Sequence, residues 1–595
     1  MDFDSFDTLT KPRALTRLSF LKDALRTFSP GEHLLLYTLS IFLGASAFAL
    51  LAGLNALVSV DVPASGGSFI EGEVGSARFI NPVLTLSHPD EDVAQLVYSG
   101  LTRVRPDGSL IPDLASNYTI SEDGTIYTFT LRTDATFHDG TPVSAEDVLF
   151  TVRAAQNPTV KSPRRADWEG VQASSPDPHT VIFKLPHAYA PFIENTTLGI
   201  LPKHIWQNVS AEEFPFSPVN TYPVGSGPYR VVRTDTDTTG TATRYSLEAF
   251  EKYVLGKPHL QRITFNFYPN REEMIQAFKA RKIDAMAGIT PSELDMLERS
   301  DFNIARVTLP RIFGVFFNQN RAPALADSAA REALLVAIDK EEVLQSALKG
   351  YGVVLEGAIP PGVVGVITPA TPMPFTETTP AEATTTSNST ATERARSILS
   401  RGGWTFDEAA GVWTKKKVEL SLSLATADEP ELVTSANAIA TYWRAAGVKV
   451  AVQVYSLSEL NTNVLRPRAY DAVLFGEVVG RTADLFAFWH SSQRNDPGLN
   501  LAMYANTRVD SYLAEARAET NKNQRELLYE KFNEEIRKDT PAIFLYSPEF
   551  IYIVPSSLHG VELGALTNPS ERYLNVYQWY TDTERVWNMF ADPIN

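Results

Sequence analysis

Residues 34–60 make up 27 consecutive positions without a formal charge, and this run constrains the fold more than any other feature. About 20 apolar residues suffice for a helix to cross the hydrocarbon core of a bilayer, so the run predicts one transmembrane helix. A core helix of a soluble domain is ordinarily much shorter. A cleaved signal peptide carries an apolar region of roughly 7–15 residues, whereas here a polar lead of 33 residues precedes the longer run, which favours a retained anchor. Lys11, Arg13, Arg17, Lys22 and Arg26 stand before the run, and Asp61 and Pro63 follow it. Positive charge is kept on the cytoplasmic side. Residues 1–33 are therefore expected inside the cell, and everything from about residue 61 outside it.

The remainder reads as a large exported body. A chain of 595 residues exceeds one ordinary domain, so two or three structural units are expected. With 44% apolar and 21% charged residues the composition is that of a globular protein rather than a disordered, collagenous or polytopic one. The formal net charge of −17, from 53 basic and 70 acidic residues, repels phosphate backbones and argues against nucleic acid as a partner. The chain has no cysteine, which excludes disulfides, thiolate metal sites, a cysteine nucleophile and a lipidated N-terminal cysteine.

Both secondary-structure periodicities occur along this body. Val448, Val450, Val452 and Val454 alternate with Lys449, Ala451 and Gln453, and Val418, Leu420, Leu422 and Leu424 alternate with Glu419, Ser421 and Ser423, as in strands with one buried face. Helix starts are marked by Ser144 with Asp147, Asn270 with Glu273, Thr290 with Pro291 and Glu293, and Asp339 with Glu342. Leu528, Phe532 and Ile536 form an apolar helical stripe ended by Thr540 and Pro541. Interleaved elements of this kind predict a mixed α/β (α+β) fold. The Asp-Gly pairs at 107–108, 123–124 and 139–140 predict hairpin turns in a β-rich subdomain. Residues 368–392 hold ten Thr and four Pro and are expected to form a solvated loop.

No H-E-x-x-H, G-x-S-x-G or Walker A motif occurs, and the nine His lack metal-ligand spacing. Val224-Gly225-Ser226-Gly227-Pro228-Tyr229 lacks the third glycine of a phosphate loop and is better read as a tight turn into a strand. His138 beside Asp139-Gly140 is better read as a turn histidine than as a base. No enzyme and no cofactor are expected. Most aromatic residues belong in cores. A minority, drawn from Trp168, Phe313, Phe486, Phe488 and Trp489 among others, would suit a cleft for a ligand with apolar side chains.

One set of motifs is specific. Ser99-Gly100-Leu101-Thr102, Pro112-Asp113-Leu114-Ala115, Tyr127-Thr128-Phe129-Thr130-Leu131-Arg132, Phe137-His138-Asp139-Gly140-Thr141-Pro142 and Ala145-Glu146-Asp147-Val148 follow one another in order. Gly225-Ser226-Gly227-Pro228-Tyr229, Phe316-Phe317-Asn318, Ala330-Arg331-Glu332-Ala333-Leu334 and Tyr470-Asp471 come later in the chain. Together they closely resemble the family 5 extracellular solute-binding proteins, the oligopeptide, dipeptide and nickel class. The resemblance covers essentially everything after the predicted anchor.

It implies a periplasmic-binding-protein-like, two-lobed clamp of three domains (type II-like). Residues 61–97, 222–309 and 545–595 would form the base of the first lobe, 98–221 a β-rich insertion in it, and 310–544 the second lobe. Hinge strands are expected near 309–317 and 542–547. The implied function is the substrate-binding subunit of an ABC-type importer: a monomeric clamp, held to the membrane by its N-terminal helix, that hands peptide to a permease and ATPase complex. A membrane-held peptide sensor, or a carrier of a nickel chelate or a sugar, is the alternative, and an extracytoplasmic hydrolase is a third reading. In the peptide binders of this family the ligand backbone adds as a strand to a segment after the Tyr-Asp motif, here Phe475, Gly476, Glu477, Val478, Val479 and Gly480. Where the family commonly places an Asp for the peptide amine, this chain has Gly480, and Glu477 and Asp484 are the nearest carboxylates, with Arg481 between them. Ser87, His88, Trp168 and Phe313 complete the expected ligand site.

Overall fold

The structure is a computed structural model and describes residues 25–297, 301–361, 363, 386–481 and 484–590. It divides into two units, Ser65–Asp582 and a smaller one formed by Met1–Ala64 with Thr583–Asn595.

In the smaller unit the apolar run is a single helix, Pro30–Val58, none of whose residues is buried. It starts earlier than the uncharged run because Ser29, Pro30 and Glu32 form a capping box that takes the two polar residues Glu32 and His33 into its first turn. It also ends earlier than residue 60. Ser59 and Val60 open a strand, Ser59–Pro63, that pairs antiparallel with Thr583–Trp587 in a two-stranded ribbon, Ser59 opposite Trp587 and Pro63 opposite Thr583. Arg585 lies 3.2 Å from Asp61, and the Trp587 indole donates to Asn55 Oδ1 at 2.7 Å. This corrects the expected domain limits, because residues 61–64 and 583–590 belong with the helix and not with the base of a lobe. Of the basic residues before the helix, only Arg26 lies among the described residues.

The larger unit is built on one twelve-stranded mixed sheet, the α/β arrangement that the interleaved periodicities predict. Its middle is the 14-residue strand Ala542–Pro555. The first residues of this strand pair with Arg311–Phe317 and its last with Phe302–Thr308, so the sheet has two halves that share one long strand. One half continues through Ala472–Val478 and Ser421–Ala427 to Lys449–Tyr455, and the other through Ala285–Ala287, Gly66–Val74, Leu260–Tyr268 and Ala242–Ala249 to the edge strand Tyr229–Thr236. Each half carries its own hydrophobic core. The chain crosses between the halves at residues 308–311 and again near Ser547. There the Leu309 amide donates to Pro548 O at 3.0 Å, and the Ser547 hydroxyl donates to Arg311 O.

The four caps read from sequence start helices Ala145–Gln156, Arg271–Lys279, Pro291–Leu294 and Lys340–Leu348. Four strands within residues 115–184 form a separate antiparallel sheet, and the three Asp-Gly turns all bend with the glycine at positive φ. Of the Thr-rich stretch 368–392, residues 368–385 lie outside the described residues. Its last seven residues are helical rather than loop, since a helix runs over Thr386–Arg401. His138 is tied into its turn: its ring bonds Gly227 O at 3.0 Å and accepts from the Gly225 amide at 3.3 Å. Burial pulls its pKa down to about 4. A Cβ at Gly225 would stand 2.0 Å from Val97 O, so this loop is a close backbone crossing that leads into strand Tyr229–Thr236.

A single buried arginine fastens the C-terminal part of this unit to its sheet. Arg572, in the turn Pro569–Tyr573, contacts three carboxylates: Glu71 at 2.7 Å, Glu73 at 2.8 Å and Asp92 at 2.9 Å. The Tyr552 hydroxyl donates to Glu71 at 2.9 Å, and the guanidinium lies over the Tyr573 ring at 4.3 Å. Burial pushes Glu71 and Glu73 up. It pushes Asp92 up as well, but the guanidinium and its hydrogen bonds outweigh that and hold Asp92 below the usual carboxylate range. Glu73 is the most strongly raised, because burial and the neighbouring Asp92 both act against its charge and one guanidinium faces three acids.

Candidate binding cleft

The turn 567–574, the segment 98–104, the short helix Arg165–Trp168 and the residues 194–199 surround a cavity of about 260 Å³. Among the expected site residues, Trp168 and Arg481 line it. Trp168 is 3% exposed and edge-packed on Phe183 and Phe192. Arg481 belongs to the other half of the sheet and reaches across. Its Nη2 donates to Glu571 Oε2 at 2.7 Å and to Ala565 O at 3.0 Å, and both side chains of the ion pair are nearly nine-tenths buried. This is therefore an internal pair between the halves and not a solvent-exposed salt bridge. Deeper in the wall, Arg103 pairs with Asp113 at 3.7 Å beneath the Tyr253 and Tyr577 rings. Burial pushes the Asp113 carboxyl up to about 6 against the pull of Arg103.

Asp484 is also committed within the protein. Its Oδ2 accepts from Arg517 Nε at 3.2 Å and from the Tyr189 hydroxyl at 3.2 Å. Arg517 in turn stacks 4.3 Å over Phe486, and its carbonyl accepts the Ala190 amide. Tyr189 and Ala190 precede strand 229–236 and belong to the first half, so this is a second latch between the halves. Ser87 caps helix His88–Val97, its hydroxyl 2.6 Å from Asp90. His88 is exposed beside Glu91. Neither lines the cavity, although Thr85 and Glu91 do. Gly480 has φ +73° with open space where a Cβ would stand, a left-handed turn that favours glycine. Residues 482 and 483 lie outside the described residues.

The remaining expected residues sit on strand Ala472–Val478 and, for Phe313, on its partner Arg311–Phe317. Phe313 stacks on Tyr546, ring centroids 5.5 Å apart, and its ring lies where a side chain on Gly476 would go. Asn318 donates its amide to Asp471 O, and Val479 donates to Pro310 O. Both pairs keep the register of this strand with Arg311–Phe317. Backbone groups alternate sides along a strand, so Val473, Phe475 and Glu477 turn theirs toward Arg311–Phe317. Ala472, Leu474, Gly476 and Val478 turn theirs away. On that far side strand Ser421–Ala427 pairs only with Ala472 and Val473, and Leu474 O accepts from Thr426 Oγ1. Gly476 and Val478 thus offer N–H and C=O groups to an edge that no described strand covers. Phe475 is half-buried and Val478 is 52% exposed. Glu477 is 4% exposed, neither carboxyl oxygen has a hydrogen-bond partner among the described residues, and burial pushes its pKa well above the usual range.

Sequence reading missed Glu571, Arg517 and Tyr189, which bond Arg481 and Asp484 across the halves. No spacing pattern marks them.

Comparison with known proteins places these features. Residues 109–500 match the family model described as bacterial extracellular solute-binding proteins, family 5, middle region. The oligopeptide-binding protein AppA of Bacillus subtilis (strain 168) is 24% identical over 552 residues, covering 92% of this chain and 97% of that protein. Among solved structures, the ABC transporter substrate-binding protein CtaP of Listeria monocytogenes superposes with a TM-score of 0.71 at 25% identity, covering 87% of this chain and 99% of that one. NikZ of Campylobacter jejuni, solved with Ni(L-His), gives 0.66 at 27% identity, covering 86% and 99%.

Proposed function

Because this chain belongs to the bacterial extracellular solute-binding proteins of family 5, we propose that it is the substrate-capturing subunit of an ABC-type importer and that its cargo is a peptide. The observation that carries the peptide reading is the uncovered strand edge at Gly476 and Val478. An extended peptide pairs with such an edge through backbone groups that every peptide has, which gives affinity without demanding one sequence. The half of the sheet with Arg311–Phe317 and Ala472–Val478 acts as one lobe and the half with Gly66–Val74 as the other, hinged where the chain crosses at 308–311 and near Ser547. Arg481 with Glu571, and Asp484 with Arg517 and Tyr189, act as latches of the closed form. Ligand shifts the population toward that form by binding it better than the open one.

The capturing body acts outside the cell, at the membrane from which the permease takes the cargo. Helix Pro30–Val58 serves as a retained anchor. In support, the helix is tied to the C-terminal strand by the bond from the Trp587 indole to Asn55 Oδ1, and the strand directly after it is built into a ribbon with Thr583–Trp587, so a cut near residue 60 would fall inside a paired strand. Membrane-fraction protein is expected to resist extraction by alkaline carbonate and to have an intact mass that includes the helix. A mature mass starting near residue 60 would overturn this.

The cargo itself is tested by native mass spectrometry of the purified full chain, followed by calorimetry with peptides of the mass found. Peptides of mixed sequence are the expected passengers. A metal chelate or a sugar in their place would refute the peptide reading.

A further inference from the structure

The last described residues return to the end of the apolar helix. Strand Ser59–Pro63 leads away from helix Pro30–Val58, and its antiparallel partner Thr583–Trp587 runs back toward it. Trp587 stands opposite Ser59, yet its indole donates to Asn55, one turn inside the helix, at 2.7 Å. The Ser59 hydroxyl donates to the same oxygen at 3.4 Å. A short 3₁₀ turn, Asn588–Phe590, follows the strand. Trp587 is 50% exposed and Met589 77% exposed, and Leu54 and Leu57 on the last turns of the helix are exposed as well.

Length and charge fix the level of this junction. A helix of 29 residues is about 44 Å long at about 1.5 Å per residue. A bilayer measures roughly 30 Å across its hydrocarbon and roughly 40–45 Å with its interfacial layers. With Glu32 and His33 at the inner surface, residues 55–58 fall in the outer interfacial layer. The composition changes at this level. Residues 586–590 carry no formal charge, nor do 34–60. The first charges on the facing strands beyond Trp587 and Ser59 are Arg585 and Asp61, cross-strand partners 3.2 Å apart. They lie on the same face as Trp587, about 7 Å further along the ribbon. At the outer layer Asn55 and the indole N–H need partners that lipid does not offer, and each satisfies the other. Tryptophan is enriched at this depth because its ring is apolar and its N–H polar.

Resting on the reading of helix Pro30–Val58 as a retained anchor, we propose that residues 586–590 are a second membrane contact: Trp587 and Met589 enter the outer interfacial layer of the phospholipid bilayer beside the last turn of the helix. The partner of this exposed apolar surface is the lipid itself, since the surface is continuous with a helix that lipid surrounds. Two segments 532 residues apart in the chain thus meet the bilayer together.

The absence of cysteine makes the test direct. A single thiol introduced by Met589→Cys, or by Thr583→Cys at the exposed far end of the same strand, is labelled with an environment-sensitive nitrobenzoxadiazole dye. The full chain is then reconstituted into vesicles of phosphatidylcholine and phosphatidylglycerol. The dye at position 589 is expected to shift to the blue and to be quenched by lipid spin-labelled near the headgroup more than by lipid labelled at the acyl terminus. The dye at position 583 should emit as in water. Adding Trp587→Ser to Met589→Cys should remove most of the quenching while the protein stays in the vesicles. Water-like emission from position 589 in inserted protein overturns the contact and leaves the anchor reading intact. A blue shift without quenching by spin-labelled lipid assigns the surface to protein, such as a second copy of this chain, and also overturns it. So does quenching unchanged by Trp587→Ser, because the dye would then enter lipid by itself. Failure of the unsubstituted chain to insert into the vesicles overturns the anchor reading, and the contact with it.

Discussion

Arg572→Met is expected to be the most destabilising single substitution in the body, lowering stability by ~3–5 kcal/mol. Folding free energies are typically about 5–15 kcal/mol, so a loss of this size is readily seen as a fall in the calorimetric midpoint. The physical reason is the count of charges. Glu71, Glu73 and Asp92 converge on this one guanidinium, and methionine fills its space without its charge or its donors. All three acids then lose their buried partner, and the hydroxyls of Tyr552 and Tyr573 stabilise only Glu71. Adding Glu71→Gln and Asp92→Asn to Arg572→Met should recover a large part of the loss, because it removes two of the three stranded acids. An unchanged midpoint for the single variant would contradict this description of the cluster. The effect extends to binding. The same turn carries Glu571, which holds Arg481 across the cleft, so any variant protein that still folds should also close on its ligand less readily.

Val478→Pro is expected to weaken peptide binding by about 5- to 150-fold, the result of leaving one buried ligand carbonyl without a donor at ~1–3 kcal/mol. The substitution is unusually clean. The Val478 amide points away from strand Arg311–Phe317, so proline removes no bond of the sheet, and proline is tolerated on an edge facing away from the ladder. Glu477 is already extended, as a residue before proline must be. Thermal stability should therefore change little while affinity falls. Val478→Ala, which keeps the amide and trims a half-exposed side chain, should bind nearly as wild type. Equal affinities for the proline and alanine variants in calorimetry would rule out strand addition at this edge.

Features set by neighbours in the chain could be read from sequence. The helix starts at Ser144, Asn270, Thr290 and Asp339 are local hydrogen-bonding events, and the alternation in 418–424 and 448–454 reports a buried face one residue at a time, except at Val454, which is 47% exposed. The limits of the first helix could not be read from charge alone, because a capping box draws Glu32 and His33 into the helix and a distant strand pulls Ser59 and Val60 out of it. The site was legible only in part for the same reason. Proximity in sequence to Gly480 singles out Asp484 as an acid with a ligand to hold. What lies opposite Asp484 is decided by Tyr189 and Arg517, and no periodicity connects three positions so far apart. Arg572 with Glu71 is a longer case still, since their meeting depends on how the last turn packs against the sheet.

If helix Pro30–Val58 is retained as the anchor proposed above, the ribbon of Ser59–Pro63 with Thr583–Trp587 bears on how the body would be shed. A protease that cuts once between residues 63 and 66 does not release the body, because the chain still runs from Asp582 into a strand hydrogen-bonded to the segment that leaves the helix. Release requires a second cut, or the unzipping of five residue pairs together with the Asn55–Trp587 bond. In a chain without a single cysteine, these noncovalent strands provide the safeguard that a disulfide across the same two segments would otherwise supply.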